Sequence, residues 1–99
     1  MADRSFVPDG WPVVTPRIVS DRPEALVSFI KHVFEAEGGY NATRPSELWI
    51  GGSVIMISDP EARPVTPAFL YVYVADADAT FARAIEAGAT SLEAPQDMP

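Results

Sequence analysis

Apolar residues recur along the first third of the chain with two different periods, one typical of a strand and one of a helix. Residues 13–19 (VVTPRIV) are rich in β-branched side chains and predict a strand, in which Pro16 suits a sheet edge. Further on, apolar side chains with helical spacing predict one face of an amphipathic helix: Leu26, Phe29, Ile30, Val33 and Phe34. The chain therefore begins with a strand followed by a helix.

Short polar and glycine signals mark the ends of this helix. Asp21 can cap the free amides of the first turn, Glu24 stands three residues further on, and Pro23 suits the first turn. Gly38-Gly39 predicts the stop, because glycine adopts the left-handed C-terminal conformation without penalty. Residues 40–43 then predict a short strand.

A β-hairpin follows. Residues 47–50 and 53–58 are two strand-like runs separated by Gly51-Gly52, and the two-residue turns favoured in hairpins need positive φ angles. Asp59-Pro60 ends the second strand, and residues 61–67, with two prolines, predict a connecting loop.

The strand–helix order then starts again. Residues 69–74 (FLYVYV) are the most strand-like run of the chain, and residues 76–87 predict a second helix that ends at Gly88. Asp76 and Asp78 are interpreted as helix-starting residues near the positive end of the helix dipole. Residues 90–92 predict the start of another strand. The predicted order is β-α-β-β-β followed by β-α-β, an α+β fold in which residues 1–10 form a loose arm.

Composition and charge narrow the classes of function. Of the 99 residues, 47 % are hydrophobic and the formal net charge is -7, with no cluster of basic residues, so binding to nucleic acid or to a membrane surface is not expected. The absence of cysteine excludes thiolate catalysis and cysteine-based metal sites. Residues 1–10 lack the apolar core of a secretory signal, and no apolar run reaches the roughly 18 residues of a membrane span. We therefore expect a cytoplasmic protein.

Because side chains alternate along a strand, the two faces of the predicted sheet can be separated. The face towards the helices is aliphatic: Ile18, Leu48, Ile50, Ile55, Ile57, Leu70, Val72 and Val74. The opposite face is aromatic and amphipathic: Thr15, Arg17, Val19, Glu47, Trp49, Val54, Met56, Phe69, Tyr71 and Tyr73. Such a composition is typical of a ligand cup and equally of a protein interface, and both interpretations stay open.

Three segments resemble the vicinal oxygen chelate superfamily of glyoxalases and bleomycin-resistance proteins, in particular its PhnB-like branch. They are VTPRIVS, ELWIGGSVIMISD and YVYVADADATFARAIEAGATSLEAP. The resemblance covers residues 11–99 and implies one domain, with a mixed sheet and the helices on one face. Residues 11–60 would form a first βαβββ module and residues 68–99 an incomplete βαβ module. The usual closing strands would then be missing, so that the chain is expected to be a C-terminally truncated member.

The resemblance also implies where metal ligands would stand. Thr15, Met56 and Phe69 occupy three of the family positions, and the fourth would lie beyond Pro99. Metal-dependent relatives use His, Gln or Glu there, and these three residues are not normal ligands for such cations. His32, the only histidine, is interpreted as an exposed helix residue. We therefore expect no metal and no cofactor.

Three functions from different classes follow from the resemblance. The first is a metal-free module that binds or sequesters a small aromatic or drug-like molecule, and the second is a metal-dependent lyase, isomerase or dioxygenase of the glyoxalase type. The third is a truncated member with a structural or assembly role. The predicted partner is a second copy, in a homodimer or higher oligomer, because residues 69–74 would leave an apolar edge unpaired. Candidate residues of the ligand cavity are Thr15, Arg17, Glu47, Trp49, Met56, Phe69, Tyr71 and Tyr73.

Overall fold

The computed structural model describes residues 5–61 and 63–91. Four strands form one mixed sheet in the order β1-β4-β3-β2, with β1 parallel to β4 and the other pairs antiparallel. This is an α+β architecture, as the sequence predicts. The elements in chain order are β1 (Arg17–Val19), α1 (Pro23–Phe34), β2 (Glu37–Gly38), β3 (Ser46–Ile50), β4 (Ser53–Ser58) and α2 (Ala77–Glu86).

The core lies between α1 and the strands β3 and β4. The buried cluster consists of Val27, Ile30, Ala36, Leu48, Ile55 and Ile57. Ile18, Leu26, Phe29, Phe34 and Ile50 pack against it. The strand alternation therefore identified the face of β3 and β4 that receives α1. The helical spacing identified Ile30 and Val33 on the buried face of α1 but missed Val27, which is buried where Leu26 and Phe29 are only partly covered.

The ends of α1 differ from the prediction. Arg22, and not Asp21, is the N-cap residue, and its own side chain makes no capping bond. Instead, the amide of Arg22 itself, the residue before the first residue of α1, donates to the Ser20 hydroxyl at 3.0 Å. The helix ends at Phe34 because Glu35 takes the left-handed conformation, with φ of 56°. The sequence predicts this conformation for Gly38-Gly39 instead.

Gly38 has a different task from the predicted helix stop. It lies in the edge strand β2 with φ of +119°, and a Cβ at this position would collide with the backbone oxygen of Glu47. The close approach of β2 to β3 therefore requires glycine here. The predicted strand at residues 40–43 is wrong, because Asn41 forms a turn: its Oδ1 accepts from the amides of Thr43 and Arg44 at 3.0 and 3.2 Å.

The hairpin is confirmed. Strands β3 and β4 pair from Ser46↔Ile57 to Ile50↔Ser53, and Gly51 in the turn has φ of +59°. The strand predicted over residues 13–19 is much shorter, since only Arg17–Val19 pairs with β4. Pro16 closes this ladder through its carbonyl oxygen, which accepts from the Met56 amide at 2.9 Å, and it has no N–H to continue the ladder.

The second half of the chain, meaning residues 63–91, contains a helix but no strand. Asp76 caps α2 through a bond from the Ala79 amide to its Oδ1 at 3.0 Å, as its interpretation as a helix-starting residue implies. The predicted strand at residues 69–74 is absent. Only the bridge between Val19 and Thr66 joins this half to the sheet edge. Thr90 and Ser91 form no strand, and Leu92 lies outside the described residues.

One arginine fastens α2 to α1. The Nε and Nη2 atoms of Arg83 donate to the carbonyl oxygen of Val33, in the last turn of α1, at 3.2 and 3.0 Å. Nη2 also donates to the Thr80 hydroxyl at 3.3 Å. This carbonyl is one of those that a helix end leaves without an intrahelical partner, so Arg83 satisfies it while it holds the two helices together.

Within the described part of the chain, neither helix has the length and apolar character required to cross a bilayer.

Candidate functional site

Three of the predicted site residues form a row across the sheet on the face opposite α1. Met56 on β4 is the register partner of Arg17 on β1 and of Glu47 on β3. Arg17 and Glu47 are therefore two strand spacings apart, about 10 Å, and both are exposed. Arg17 is directed along β4, because its Nε donates to the Ser58 hydroxyl at 2.9 Å.

A pair of tryptophans covers the neighbouring row. Trp49 stands opposite Val54 in the β3–β4 ladder, and the Trp11 ring meets Trp49 edge to face at a centroid distance of 5.6 Å. This arrangement is favourable for aromatic rings. The segment before β1 therefore lies across this face. Val54 and Val19, which we predicted on an open concave surface, are both buried.

The aromatic residues of the second half do not join this surface. Phe69, Tyr71 and Tyr73 are 87 %, 83 % and 98 % exposed, and Phe69 and Tyr71 contact each other edge to face at 5.7 Å. Leu70, Val72 and Val74, predicted on the helix side, are absent from the core cluster. The eight candidate residues therefore do not form one continuous wall.

An apolar cavity of about 440 Å³ lies beside the first half of β4. The ladder between β1 and β4 begins only at Arg17↔Met56, so within residues 5–61 and 63–91 no strand lies beside Ser53, Val54 and Ile55 on that side. Pro12, Val14 and Pro16 form one wall of the cavity, residues 70–73 form another, and Ile50 joins the β4 residues at the base. Most of these side chains are apolar, and the Ser53 hydroxyl and the two tyrosines supply the polar groups.

Only two of the eight candidate residues, Tyr71 and Tyr73, line this cavity. Pro12, Val14 and Pro16 were not among the predicted cavity residues, because residues 13–19 were expected to form one strand of the sheet. The signal was available in the prolines: Pro12 and Pro16 cannot donate to a ladder, and their spacing indicates a segment that leaves the sheet. Thr15 and Trp49 are half-buried neighbours of lining residues and do not line the cavity themselves.

A second, smaller cavity of about 90 Å³ lies at the other end of the sheet and is polar. Arg17 and Arg44 line it together with Asp59 and Glu61, so its charges balance. Arg17 thus belongs to this polar end and not to the apolar cavity. A role for Arg17 in orienting an anionic ligand in the apolar cavity has no geometric basis.

The residues at the family's metal positions do not suit a metal. Thr15 offers a hydroxyl, Met56 a thioether and Phe69 no donor atom, and Phe69 lies on an exposed segment outside the sheet. Among residues 5–61 and 63–91, no group of three or more His, Cys, Asp or Glu side chains could hold a metal ion. His32 is exposed on α1.

Comparison with solved structures supports this fold. TioX from Micromonospora sp. ML1 matches with a TM-score of 0.64 and 24 % identity, over 89 % of this chain and 79 % of TioX. A gene product from Arabidopsis thaliana matches with a TM-score of 0.59 and 23 % identity, over 82 % of this chain and 75 % of that protein. No protein-family model and no curated protein matches the chain. The likeness supports a vicinal oxygen chelate-like fold.

Proposed function

We propose that this protein binds a small, neutral, aromatic molecule without a metal, in the apolar cavity beside β4. The observation that carries the proposal is the cavity itself. Its volume of about 440 Å³ falls in the usual range of ligand sites, and its walls combine proline and aliphatic surfaces with few polar groups. Aliphatic and aromatic walls favour an apolar, planar guest, since burial of apolar surface drives such binding.

The polar groups of the cavity point to a neutral ligand. No charged side chain lines it, and the formal charge of the chain is -7, so an anionic ligand would meet an unfavourable field without a compensating cation. The tyrosine hydroxyls and the Ser53 hydroxyl can each donate or accept one hydrogen bond to fix the orientation of a neutral guest.

The likeness to TioX agrees with this proposal at the level of fold, and a bleomycin-resistance-like protein is the function class that it suggests. Assignment to the PhnB-like branch and a cytoplasmic location stay predictions from the sequence. A metal-dependent glyoxalase-type reaction has no support from Thr15, Met56 and Phe69, for the reasons of ligand chemistry given above.

Two neighbouring valines provide a matched test. Val13 and Val14 are both exposed, and only Val14 lines the cavity. Binding of 1-naphthol, a neutral planar probe, should be saturable in the wild-type protein by isothermal titration calorimetry. Val14→Asp should weaken it at least tenfold, about 1.4 kcal/mol, because the probe would have to desolvate a carboxylate.

Val13→Asp adds the same charge one residue away and should leave the affinity within about twofold. Equal losses in both variants, or no saturable binding of 1-naphthol to the wild-type protein, would show that the cavity is not a ligand site. Mass spectrometry of small molecules that co-purify with the protein would then identify the natural ligand class where binding is found.

A further inference from the structure

Residues 69–74 carry a run of apolar side chains that the described chain leaves uncovered. The three aromatic residues are almost fully exposed, and Leu70 and Val74 are exposed as well. A contiguous exposed apolar patch of this kind on a small protein is typical of an interaction surface.

The backbone of the same run has no hydrogen-bonded partner among the described residues. No backbone hydrogen bond joins residues 69–74 to any other part of residues 5–61 and 63–91. The last bonds before the run connect Thr66 and Val19, at 2.9 and 3.1 Å. Exposed backbone donors and acceptors beside apolar side chains are the properties that make a strand edge a template for another chain.

We propose that residues 69–74 of two copies pair with each other as antiparallel strands about a two-fold axis, in the register that sets Tyr71 opposite its own copy. In this register Phe69 faces Tyr73 of the second copy, and all six aromatic side chains lie on one face of the new ladder, since side chains alternate along a strand. Cross-strand aromatic pairs are among the favourable pairs in antiparallel sheets. The register therefore converts an exposed run into one shared aromatic layer.

The distribution of charge favours residues 64–75 as the place where two copies meet. Two chains of formal charge -7 repel each other, and their contact must avoid the acidic side chains. Residues 64–75 contain no charged side chain. Two copies can therefore approach through this segment without placing acids against acids.

The area is also sufficient. An aromatic side chain contributes about 150–250 Å². At the observed exposures, the three aromatic side chains of both copies expose about 800–1,300 Å² in total, which is the most that their pairing can remove from water. Specific interfaces begin at about 1,000 Å² in total, so this upper limit reaches the range of a small dimer interface.

The pairing would also complete the proposed ligand site, because residues 70–73 form one wall of the apolar cavity. The inference itself rests on exposure, missing backbone partners and charge, and it does not require that a ligand binds. Failure of self-association would leave the comparison of Val13 and Val14 intact, and failure of probe binding would leave the dimer intact.

Cross-linking through an introduced cysteine tests the register. The sequence contains no cysteine, so Tyr71→Cys introduces a single thiol. Residues directly opposite in an antiparallel pair have Cβ atoms about 4.5–5.5 Å apart, close to disulfide distance. Under mild oxidation at micromolar concentration, more than half of this variant should migrate as a dimer without reductant.

Phe6→Cys is the matched control, because Phe6 is also an exposed aromatic residue, at 72 %, outside the run. After the same oxidation it should migrate as a monomer on a denaturing gel without reductant, because its non-covalent dimer dissociates there and its thiols do not meet. Equal cross-linking of the two variants would reflect random collision and would overturn the proposed register.

Analytical ultracentrifugation of the wild-type protein and of variants without cysteine gives a second, independent measurement. The wild-type protein should sediment as a dimer at micromolar concentration, Tyr73→Glu should sediment as a monomer with an unchanged circular dichroism spectrum, and Phe6→Glu should remain a dimer. A wild-type monomer, or dissociation by both glutamate variants alike, would overturn the proposal.

Discussion

Two apolar runs of six residues, β4 and residues 69–74, lie in opposite environments. Strand β4 has β3 on one side and β1 on the other, and four of its six side chains are buried. Residues 69–74 are even richer in strand-forming side chains, and yet none of them is buried. The side chains of both runs thus favour a strand, but among the described residues only β4 has neighbouring strands with which to pair.

The difference shows that strand-forming residues become a strand only where a second segment is available to pair with them. Side chains of the β-branched and aromatic types fit a pleated, half-buried surface, but the ladder needs donors and acceptors on a second segment. The hairpin supplies β4 with β3 through a two-residue connection. Residues 70–73 share the apolar cavity with the segment before β1, in which Pro12 and Pro16 lack an amide hydrogen.

The largest contrast should come from truncating one buried side chain next to β4 and one exposed side chain within residues 69–74. Leu48 on β3 is the register partner of Ile55 on β4 and represents the first environment. Leu48→Ala should lower the free energy of unfolding by about 2–5 kcal/mol, because Leu48 is fully buried beneath α1 and its truncation leaves a cavity in the core. Tyr73→Ala should change the stability of the isolated chain by less than about 0.5 kcal/mol, because its side chain is exposed. Urea unfolding at submicromolar concentration measures both.

A cost of less than about 1 kcal/mol for Leu48→Ala would mean that the sheet and α1 do not form the central core. An equally large cost for Tyr73→Ala in dilute solution would mean that the run is packed within one chain.

The attachment of the second half should be the next largest effect. Arg83→Met removes the two bonds to the Val33 carbonyl oxygen and should cost about 1.5–3 kcal/mol, the range for hydrogen bonds to a charged group. Residues 76–88 should then become sensitive to limited proteolysis while the sheet stays intact. Arg63→Met, a change of the same type at an exposed residue, should leave both stability and proteolysis unchanged.

A smaller effect should come from the edge of the sheet in the first half. Gly38→Ala combines a positive φ with a collision against the Glu47 carbonyl oxygen and should cost about 1–3 kcal/mol. Gly39→Ala, next to it, meets no atom within 4 Å and should have little effect. Thermal unfolding followed by circular dichroism distinguishes the pair, and similar midpoints would contradict the close approach of β2 and β3.

Much of the first half could be predicted from the sequence, because its signals are local. The spacing of Leu26, Phe29 and Ile30 and the Gly51-Gly52 turn each involve residues close in the chain, and α1 and the hairpin followed from them. The position of Asp76 at the start of α2 was equally local.

The cavity and the fate of residues 69–74 could not be predicted in the same way. Both depend on how the proline-containing segment before β1 meets a segment more than 50 residues later, and the apolar alternation of residues 69–74 says nothing about that neighbour. Among the described residues, a single bridge, Val19 to Thr66, joins residues 63–91 to the sheet. Alternation assigned side chains to faces, but it could not tell which strands share a sheet.

The smallest predicted effect concerns the capping of α2. Asp76→Ala removes the bond from the Ala79 amide and should cost about 1 kcal/mol. Asp78→Ala, within the first turn, loses only its interaction with the helix dipole and should cost less. Urea unfolding of the two variants in parallel measures the difference, and an equal cost would argue against the cap.

Hydrogen exchange of backbone amides, measured on β4 and on residues 69–74 in the same sample at two protein concentrations, tests the account most directly. We predict slow exchange at both concentrations for the β4 amides that pair with β3 or with the segment that includes β1 and Pro16. Residues 69–74 should exchange rapidly at submicromolar concentration and become protected at high micromolar concentration, where two copies pair. Protection of residues 69–74 in the dilute monomer, or rapid exchange at the highest concentration, would contradict the account.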